Sequence, residues 1–138
     1  MESEHYIGKV TQKVVIEHDG QILLCQGVGD SRWDLPGGRL HKDCQPKENL
    51  LREVEEELGI KLEKIQPIHV CRSFHYQTET YRVYIAYMSR VSSREFTADK
   101  EEIAVAQWFP LEEVLSLDIF EDGRESLEVY LQIYSMRA

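Results

Sequence analysis

The chain has 138 residues, of which 42% are hydrophobic and 30% are charged, and its formal net charge is −9. This length and composition are typical of one compact domain, so we expect residues 1–138 to form a single domain. An acidic chain lacks the basic surface needed for non-specific nucleic-acid binding, which argues against a nucleic-acid polymer as a partner. No apolar run approaches the roughly 18–20 residues of a membrane helix, so we expect no membrane contact.

The first half of the chain predicts a β-hairpin, a glycine bend and a helix. The strands of the hairpin are 10–17 and 21–25, and 33–38 reads as a strand that ends in Pro36-Gly37-Gly38. A helix is predicted over 46–58, because proline suits its first turn and Gly59 suits the position just past its end. Leu51, Val54 and Leu58 recur at helical spacing and are expected to be buried.

The second half predicts further strands at 62–74, 80–89 and 103–109. A short helix is expected to begin at Pro110, and a last one to span about 123–136. Strands, helix, strands and helices in this order predict the α+β class, with a mixed sheet between helices.

The free cysteines and histidines carry little pattern. Cys25, Cys44 and Cys71 are scattered and odd in number, so they fit neither a disulfide framework nor a paired zinc-ligand pattern. The five histidines show no metal-ligand spacing either. Unpaired thiols are typical of a reducing compartment, and we therefore expect a cytoplasmic protein.

The predicted helix over 46–58 carries a cluster of acids. Glu53, Glu56 and Glu57 stand at i, i+3 and i+4 and project from one face, where each like-charged pair repels by about 0.2–0.5 kcal/mol. Such a face is either merely solvated or holds a divalent cation. Two neighbours favour a bound cation over a merely solvated face. They are the glycine bend upstream and Arg52, which can fix a carboxylate by ion pairing.

This stretch resembles the Nudix box, in which a glycine is followed at fixed spacing by Arg-Glu-aliphatic-any-Glu-Glu-any-Gly-aliphatic. The matching positions are Gly38, Arg52, Glu53, Val54, Glu56, Glu57, Gly59 and Ile60. The order of the predicted elements is also similar to the Nudix fold, so the resemblance implies a Nudix-type α/β/α sandwich. It further implies hydrolysis of a diphosphate linkage with Mg²⁺, or alternatively Mn²⁺, as cofactor.

The resemblance also implies roles for single residues. Glu56 and Glu57 would hold the metal together with the Gly37 carbonyl. Glu53 would serve as general base or water-orienting group and as a further metal contact. Family members often use another acid from a distant loop, for which Glu102 is preferred here and Glu101 is the alternative.

One position departs from the box, because Cys44 stands where the family has its first glutamate. In the family that glutamate is thought to anchor the loop against the helix. We hypothesise that Glu48 partly replaces it by pairing with Arg52 one turn later. Cys44 as a nucleophile is disfavoured, since the sequence places no histidine as its base.

Side chains that contact the substrate are harder to assign from sequence. Candidates for phosphate contacts are Arg32, Arg39, Arg72 and Arg82. Each of them could equally be a surface residue without a role in binding. Tyr76 lies at the position of a marker of dinucleoside polyphosphate hydrolases.

The short chain and its WDLPGG segment look most like MutT-like nucleoside triphosphate pyrophosphohydrolases. Hydrolysis of ADP-ribose, a nucleotide sugar or a dinucleoside polyphosphate is the alternative within this class. A Nudix-fold nucleotide-binding module without turnover, or an acidic interaction domain, would be a different kind of protein. Both a monomer and a homodimer remain open.

Overall fold

Two apolar strands and the turn between them begin the fold. In the computed structural model, which describes residues 4–75 and 78–137, the β-branched run VVI lies fully buried in the first strand. Within the described residues there are six strands: β1 (Lys9–His18), β2 (Gln21–Gly27), β3 (Gly37–Arg39), β4 (Gln66–His75), β5 (Thr80–Arg90) and β6 (Ile103–Pro110). The helices are α1 (Pro46–Leu58) and α2 (Glu121–Arg137), with one 3₁₀ turn at Val114–Ser116.

The described strands form a mixed sheet in the order β4-β5-β1-β2-β6, and β3 pairs with β1 outside this path. The central strand β1 pairs in parallel with β5 along most of its length. On its other side, β1 pairs antiparallel with β3 at 11–13 and with β2 at 17–18. This arrangement brings the glycines of β3 to the middle of the molecule.

One face of the sheet is covered by α1. Its buried residues are Asn49, Leu50, Val54 and Leu58. The three apolar residues among them pack with Val14, Ile16 and Leu23 of the sheet. The helix ends at Gly59, whose left-handed φ of 65° lets its N–H bond back to the Glu55 carbonyl.

The opposite face is covered by α2, whose Leu127 and Tyr130 are buried. They share a core with Val15, Ile22 and Leu24, the residues that alternate with those of the first core. The sheet therefore lies between two helices, which confirms the predicted α/β/α sandwich. Among the described residues, no helix is both long enough and apolar enough to cross a membrane.

Several boundaries differ from the prediction. β4 begins at Gln66 rather than at 62, where the strand was predicted to start. The predicted strand over 33–38 is reduced to isolated bridges at Trp33 and Asp34, followed by β3 from Gly37. Pro36 has no N–H to donate, and Gly37 takes a φ of 137°, so a regular ladder cannot continue through them. No α-helix begins at Pro110, which is the last residue of β6.

Candidate functional site

A cleft of about 610 Å³ opens between β3, α1 and the turn before β6. We call it the acidic cleft, because Glu53, Glu57, Glu102 and Asp34 contribute to its walls. A second cleft of about 500 Å³ lies towards β4 and α2, and it shares Asp34 and Arg82 with the first. We call it the arginine cleft, since Arg32, Arg72 and Arg82 line it. The two clefts are therefore neighbours that meet at Asp34 and Arg82.

Two carboxylates of α1 face the acidic cleft because they stand one helical turn apart. The Glu53 side chain is only 16% exposed. The pKa of Glu57 is raised to about 7, chiefly by burial, with further contributions from the charges of Glu53 and Glu102. The nearby charge of Lys13 works against this rise. Of the described residues that line the cleft, four are acidic and three are lysine or arginine.

Glu102 reaches the same cleft from a distant part of the chain. A turn precedes β6. In this turn the N–H groups of Glu102 and Ile103 donate hydrogen bonds to the Asp99 carbonyl. The Asp99 N–H in turn bonds the Glu57 carbonyl at 2.8 Å, which ties this turn to the end of α1. Glu102 lines the acidic cleft, whereas Glu101 is not among the described residues that line it.

The glycine bend forms another wall. A Cβ added at Gly37 would overlap the Gln12 carbonyl oxygen and approach the Lys13 Cα to 2.9 Å. A Cβ at Gly38 would lie 3.1 Å from Glu53 Oε2. Only glycine therefore lets the β3 backbone approach β1 and the helix carboxylates this closely.

Glu56 takes a different position from the other two acids of the box. Its side chain is 63% exposed, and its Oε1 lies 3.7 Å from Nε of Arg52. It is not among the described residues that line either cleft. Arg52 also approaches Glu53, with 3.8 Å between Nη2 and Oε1. The structure thus brings Glu53 and Glu57 together and leaves Glu56 at the outer edge.

The predicted substrate contacts divide between the clefts. Arg39 lines the acidic cleft, while Arg32 and Arg72 line the arginine cleft. The Arg32 guanidinium lies 4.1 Å from the centre of the Phe120 ring, and that of Arg72 lies 4.4 Å from the centre of the Tyr81 ring. Both arginines are thereby held over aromatic faces.

Tyr76 lies outside the described residues. Sequence reasoning missed Lys13, whose Nζ lies 3.2 Å from Oδ2 of Asp34 and which lines the acidic cleft. The signal that could have found it is a single charged residue within the strand segment VTQKVVI. Asp34 was missed as well; its backbone pairs with Cys25 of β2, and it lines the cleft from there.

The model of the NUDIX domain family matches residues 10–130. The chain belongs to the NUDIX family. The predicted membership and the predicted hydrolase activity are both confirmed, and the chain is a Nudix hydrolase.

Known proteins similar to this Nudix hydrolase extend the comparison. A MutT-like protein from Streptomyces ambofaciens is 42% identical over 50 residues, which are 36% of this chain and 32% of that protein. The nucleoside triphosphatase NudI from Escherichia fergusonii is 29% identical over 129 residues, which cover 83% of this chain and 91% of that protein. The crystal structure of a MutT NUDIX hydrolase from Burkholderia pseudomallei shares 27% identity at a TM-score of 0.78, and covers 87% of this chain and 95% of that one.

The start of the Nudix box is held by Asn49, a fully buried residue of α1. Its Nδ2 donates to Gln12 Oε1 at 2.9 Å and to the Arg39 carbonyl at 3.0 Å. Its Oδ1 accepts from the His41 N–H and from Arg52 Nη2, each at 3.2 Å. One amide thus joins the central strand, the loop after β3 and the arginine of the box.

Cys44 occupies the first glutamate position of the box. Its Sγ accepts a hydrogen bond from Arg52 Nη1 at 3.2 Å. The hypothesised pair between Glu48 and Arg52 is wrong, because in the described chain the ion-pair partners of Arg52 are Glu53 and Glu56. Cys44 and Asn49 therefore hold the arginine that Glu48 was expected to hold.

The donor set of the acidic cleft fits the divalent metal that Nudix hydrolases generally use. Three carboxylates, from Glu53, Glu57 and Glu102, surround one space and repel each other's charge. Hard divalent cations prefer oxygen ligands of this kind, and binding one turns the repulsion into attraction. Burial is the chief cause of the raised pKa of Glu57, and the charges of Glu53 and Glu102 add to it, as expected of carboxylates that repel each other.

Proposed function

We propose that this Nudix hydrolase cleaves a diphosphate linkage of a nucleoside triphosphate, and that it uses Mg²⁺, which Mn²⁺ can replace. The observation that carries the proposal is the group of three carboxylates beside the glycine bend, with Arg39 on the same cleft. The similarity to a protein named nucleoside triphosphatase NudI over 83% of this chain supports the choice of substrate. The products would be a nucleoside monophosphate and pyrophosphate.

The residues proposed to hold the metal are Glu53, Glu57 and Glu102, together with the Gly37 carbonyl and Glu56. Glu56 would join them by turning its exposed side chain away from Arg52. A bound Mg²⁺ supplies charge neutralisation and Lewis acidity at the phosphate oxygens.

Glu53 is proposed to orient the attacking water and to accept its proton. Arg52 Nη2 and His41 Nε2 each lie 3.8 Å from Glu53 Oε1, so cationic or polar groups approach this oxygen from two sides. These contacts restrict the rotamers of Glu53 and keep the carboxylate pointed into the cleft. The water oxygen forms the new P–O bond, and the bridging oxygen of the diphosphate leaves with the displaced phosphoryl group.

Arg39 and Arg82 are proposed to contact the phosphates. Arg82 is well placed for this, since it lines both clefts and is held by Asp122 at 3.1 Å and by the Ser73 hydroxyl at 3.1 Å. The nucleoside would then lie in the arginine cleft, where Arg32, Arg72 and Phe120 offer flat faces for stacking.

The test is a hydrolysis assay with Mg²⁺ and with Mn²⁺, in which the nucleotide products are separated from the substrate by anion-exchange chromatography and quantified. The substrates are nucleoside triphosphates, ADP-ribose, nucleotide sugars and dinucleoside polyphosphates. We expect triphosphates to give the highest kcat/KM. A higher kcat/KM for one of the other three classes would contradict the proposed substrate and leave the carboxylate assignment in place.

Glu57→Gln tests the assignment of the carboxylates. Removing one charged group from the reacting site should lower kcat/KM by roughly 100-fold or more. Glu55→Gln is the matched control, because Glu55 is an exposed acid of the same helix that pairs with Lys61 at 3.9 Å. Equal losses in both variants would show that helix charge, rather than the cleft, controls the rate.

A further inference from the structure

A second group of metal-ligand side chains lies away from the acidic cleft, between β4 and α2. His69 and Cys71 are two residues apart on β4, so they project from the same face of the strand. Glu125 approaches them from the second turn of α2. One donor atom from each residue, a ring nitrogen, the thiol sulfur and a carboxylate oxygen, lies within 4.8 Å of the other two.

His69 points to a ligand at this place. Its Nε2 is buried and has no hydrogen-bond partner among the described residues. Oε2 of Glu125 lies 3.7 Å from this nitrogen, which is too far for a hydrogen bond. Two ligand atoms of a tetrahedral zinc ion are about 3.3–3.7 Å apart, given metal–ligand bonds of about 2.0–2.3 Å. The spacing of these atoms therefore suits a shared metal ion better than direct contact.

The kinds of donor atom select the metal. A thiol and an imidazole are soft to borderline ligands, which favour zinc over the hard ion Mg²⁺. A thiolate and a carboxylate together balance the charge of a divalent ion. Burial raises the pKa of the Cys71 thiol, and the negative charges of Asp122 and Glu125 add to this rise, so a bound cation would relieve the charge repulsion there.

An ion can reach the cluster from solvent. Cys71 and Glu125 both line the arginine cleft, and the Glu125 side chain is 47% exposed. The three protein ligands leave a fourth tetrahedral position for water or for a ligand in the cleft.

We propose that His69, Cys71 and Glu125 bind one zinc ion, at a site separate from the carboxylates of the Nudix box. The zinc would join the edge strand β4 to the helix on the second face of the sheet. Sequence patterns did not predict this site, because two ligands on a strand and one on a distant helix match no short spacing pattern.

The test is a titration of the chelator-treated full-length protein with Co²⁺, in excess Mg²⁺ that occupies hard oxygen sites. We expect one equivalent of Co²⁺ to produce a thiolate-to-cobalt charge-transfer band, and Zn²⁺ to abolish it by displacement. Cys71→Ser should remove the band. Cys44→Ser is the matched control, since Cys44 is another half-buried thiol, and it should keep the band.

A band that is absent from the wild type, that survives Cys71→Ser or that disappears in Cys44→Ser would overturn the proposal. Glu125→Gln decides the question if Cys71→Ser fails to fold, because the Glu125 side chain is partly exposed. We expect this variant to show a wild-type circular dichroism spectrum and zinc affinity at least about tenfold weaker. Unchanged zinc affinity in folded Glu125→Gln would equally refute the site.

Discussion

Glu57 lies between a packed helix face and two other carboxylates, and its pKa of about 7 follows mainly from its burial. In the unfolded chain the same group titrates near 4.5. Between these two values the folded chain keeps a proton that the unfolded chain has lost. The stabilisation is therefore complete below pH 4.5 and is lost as the pH rises through about 7.

The metal-free protein should accordingly lose stability between pH 5 and pH 8, and Glu57→Gln should lose less. The glutamine removes the buried charge at high pH and leaves the low-pH state nearly unchanged. Urea unfolding in the presence of a chelator, at several pH values, measures this difference. Glu55→Gln should follow the wild type, and an identical pH dependence in all three proteins would contradict the cause assigned to the shift.

Gly37 offers a second test of a single residue. Gly37→Ala places a Cβ against the β1 backbone at a φ of 137°, and should cost about 2–5 kcal/mol of unfolding free energy. Gly29→Ala is the control, since Gly29 has a φ of 82° but open space around it, and it should cost only about 1 kcal/mol. Similar losses in urea unfolding would mean that the close approach of β3 to β1 contributes little.

Part of this site could be predicted from residues near each other in the chain. The spacing of Glu53 and Glu57 on a helix and the two glycines of the bend are local patterns, and the structure brings them to one cleft. The same spacing selected Glu56, which stays a proposed metal ligand although its exposed side chain does not line the cleft, because helical periodicity does not reveal where the cleft ends. Lys13 is different, since only the pairing of β1 with β3 brings it beside the carboxylates.

At the scale of elements, the start of α1 depends on a polar side chain in the core. Asn49 occupies the buried face beside Leu50, and Gln12 extends the network to the Pro46 carbonyl at 2.8 Å and to the Tyr87 hydroxyl at 2.9 Å. These hydrogen bonds fix the rotational orientation of α1 about its own axis. They explain why Leu50 is buried and Leu51, predicted to be buried, is only half-buried.

Asn49→Ala should therefore destabilise the fold by about 2–4 kcal/mol, because it leaves buried partners without a hydrogen bond. It should also lower activity, since Arg52 and the end of β3 at Arg39 lose a common anchor. Glu48→Ala, an exposed neighbour on the same turn, should change stability by less than about 0.5 kcal/mol. Thermal unfolding and kcat/KM measure both effects, and equal effects of the two variants would argue against the network.

The limits of α1 were predictable because proline and glycine mark them locally. The late start of β4 was not, since it depends on where the distant strand β5 supplies a ladder partner. Hydrophobic periodicity likewise cannot show that a buried asparagine has its partners on another element. Elements were thus predictable where their signals are local and uncertain where tertiary pairing decides them.

At the scale of the whole molecule, two cores share one sheet. Leu50 belongs to the core under α1 and Leu127 to the core under α2, and adjacent residues of β1 contribute to opposite sides. Each core also contacts one tryptophan, Trp108 on the first side and Trp33 on the second. Because both cores use the same strands, we expect them to unfold together.

Leu50→Ala in a Trp108→Phe background tests this expectation. The mutation should cost about 2–5 kcal/mol through the cavity it leaves, and should shift the Trp33 fluorescence transition as far as the circular dichroism transition. Leu51→Ala, at the half-buried neighbour, should shift both by less. A Trp33 transition that stays in place while circular dichroism moves would show that the two faces unfold separately.

The parallel pairing of β1 with β5 also has a consequence for how the chain is made. In every register pair, from Lys9 with Arg82 to Glu17 with Arg90, the chain between the two partners contains β2, β3, α1 and β4. During synthesis, β1 cannot pair with β5 until most of the polypeptide has left the ribosome. Contacts so distant in sequence slow folding and leave apolar strand edges exposed in the meantime.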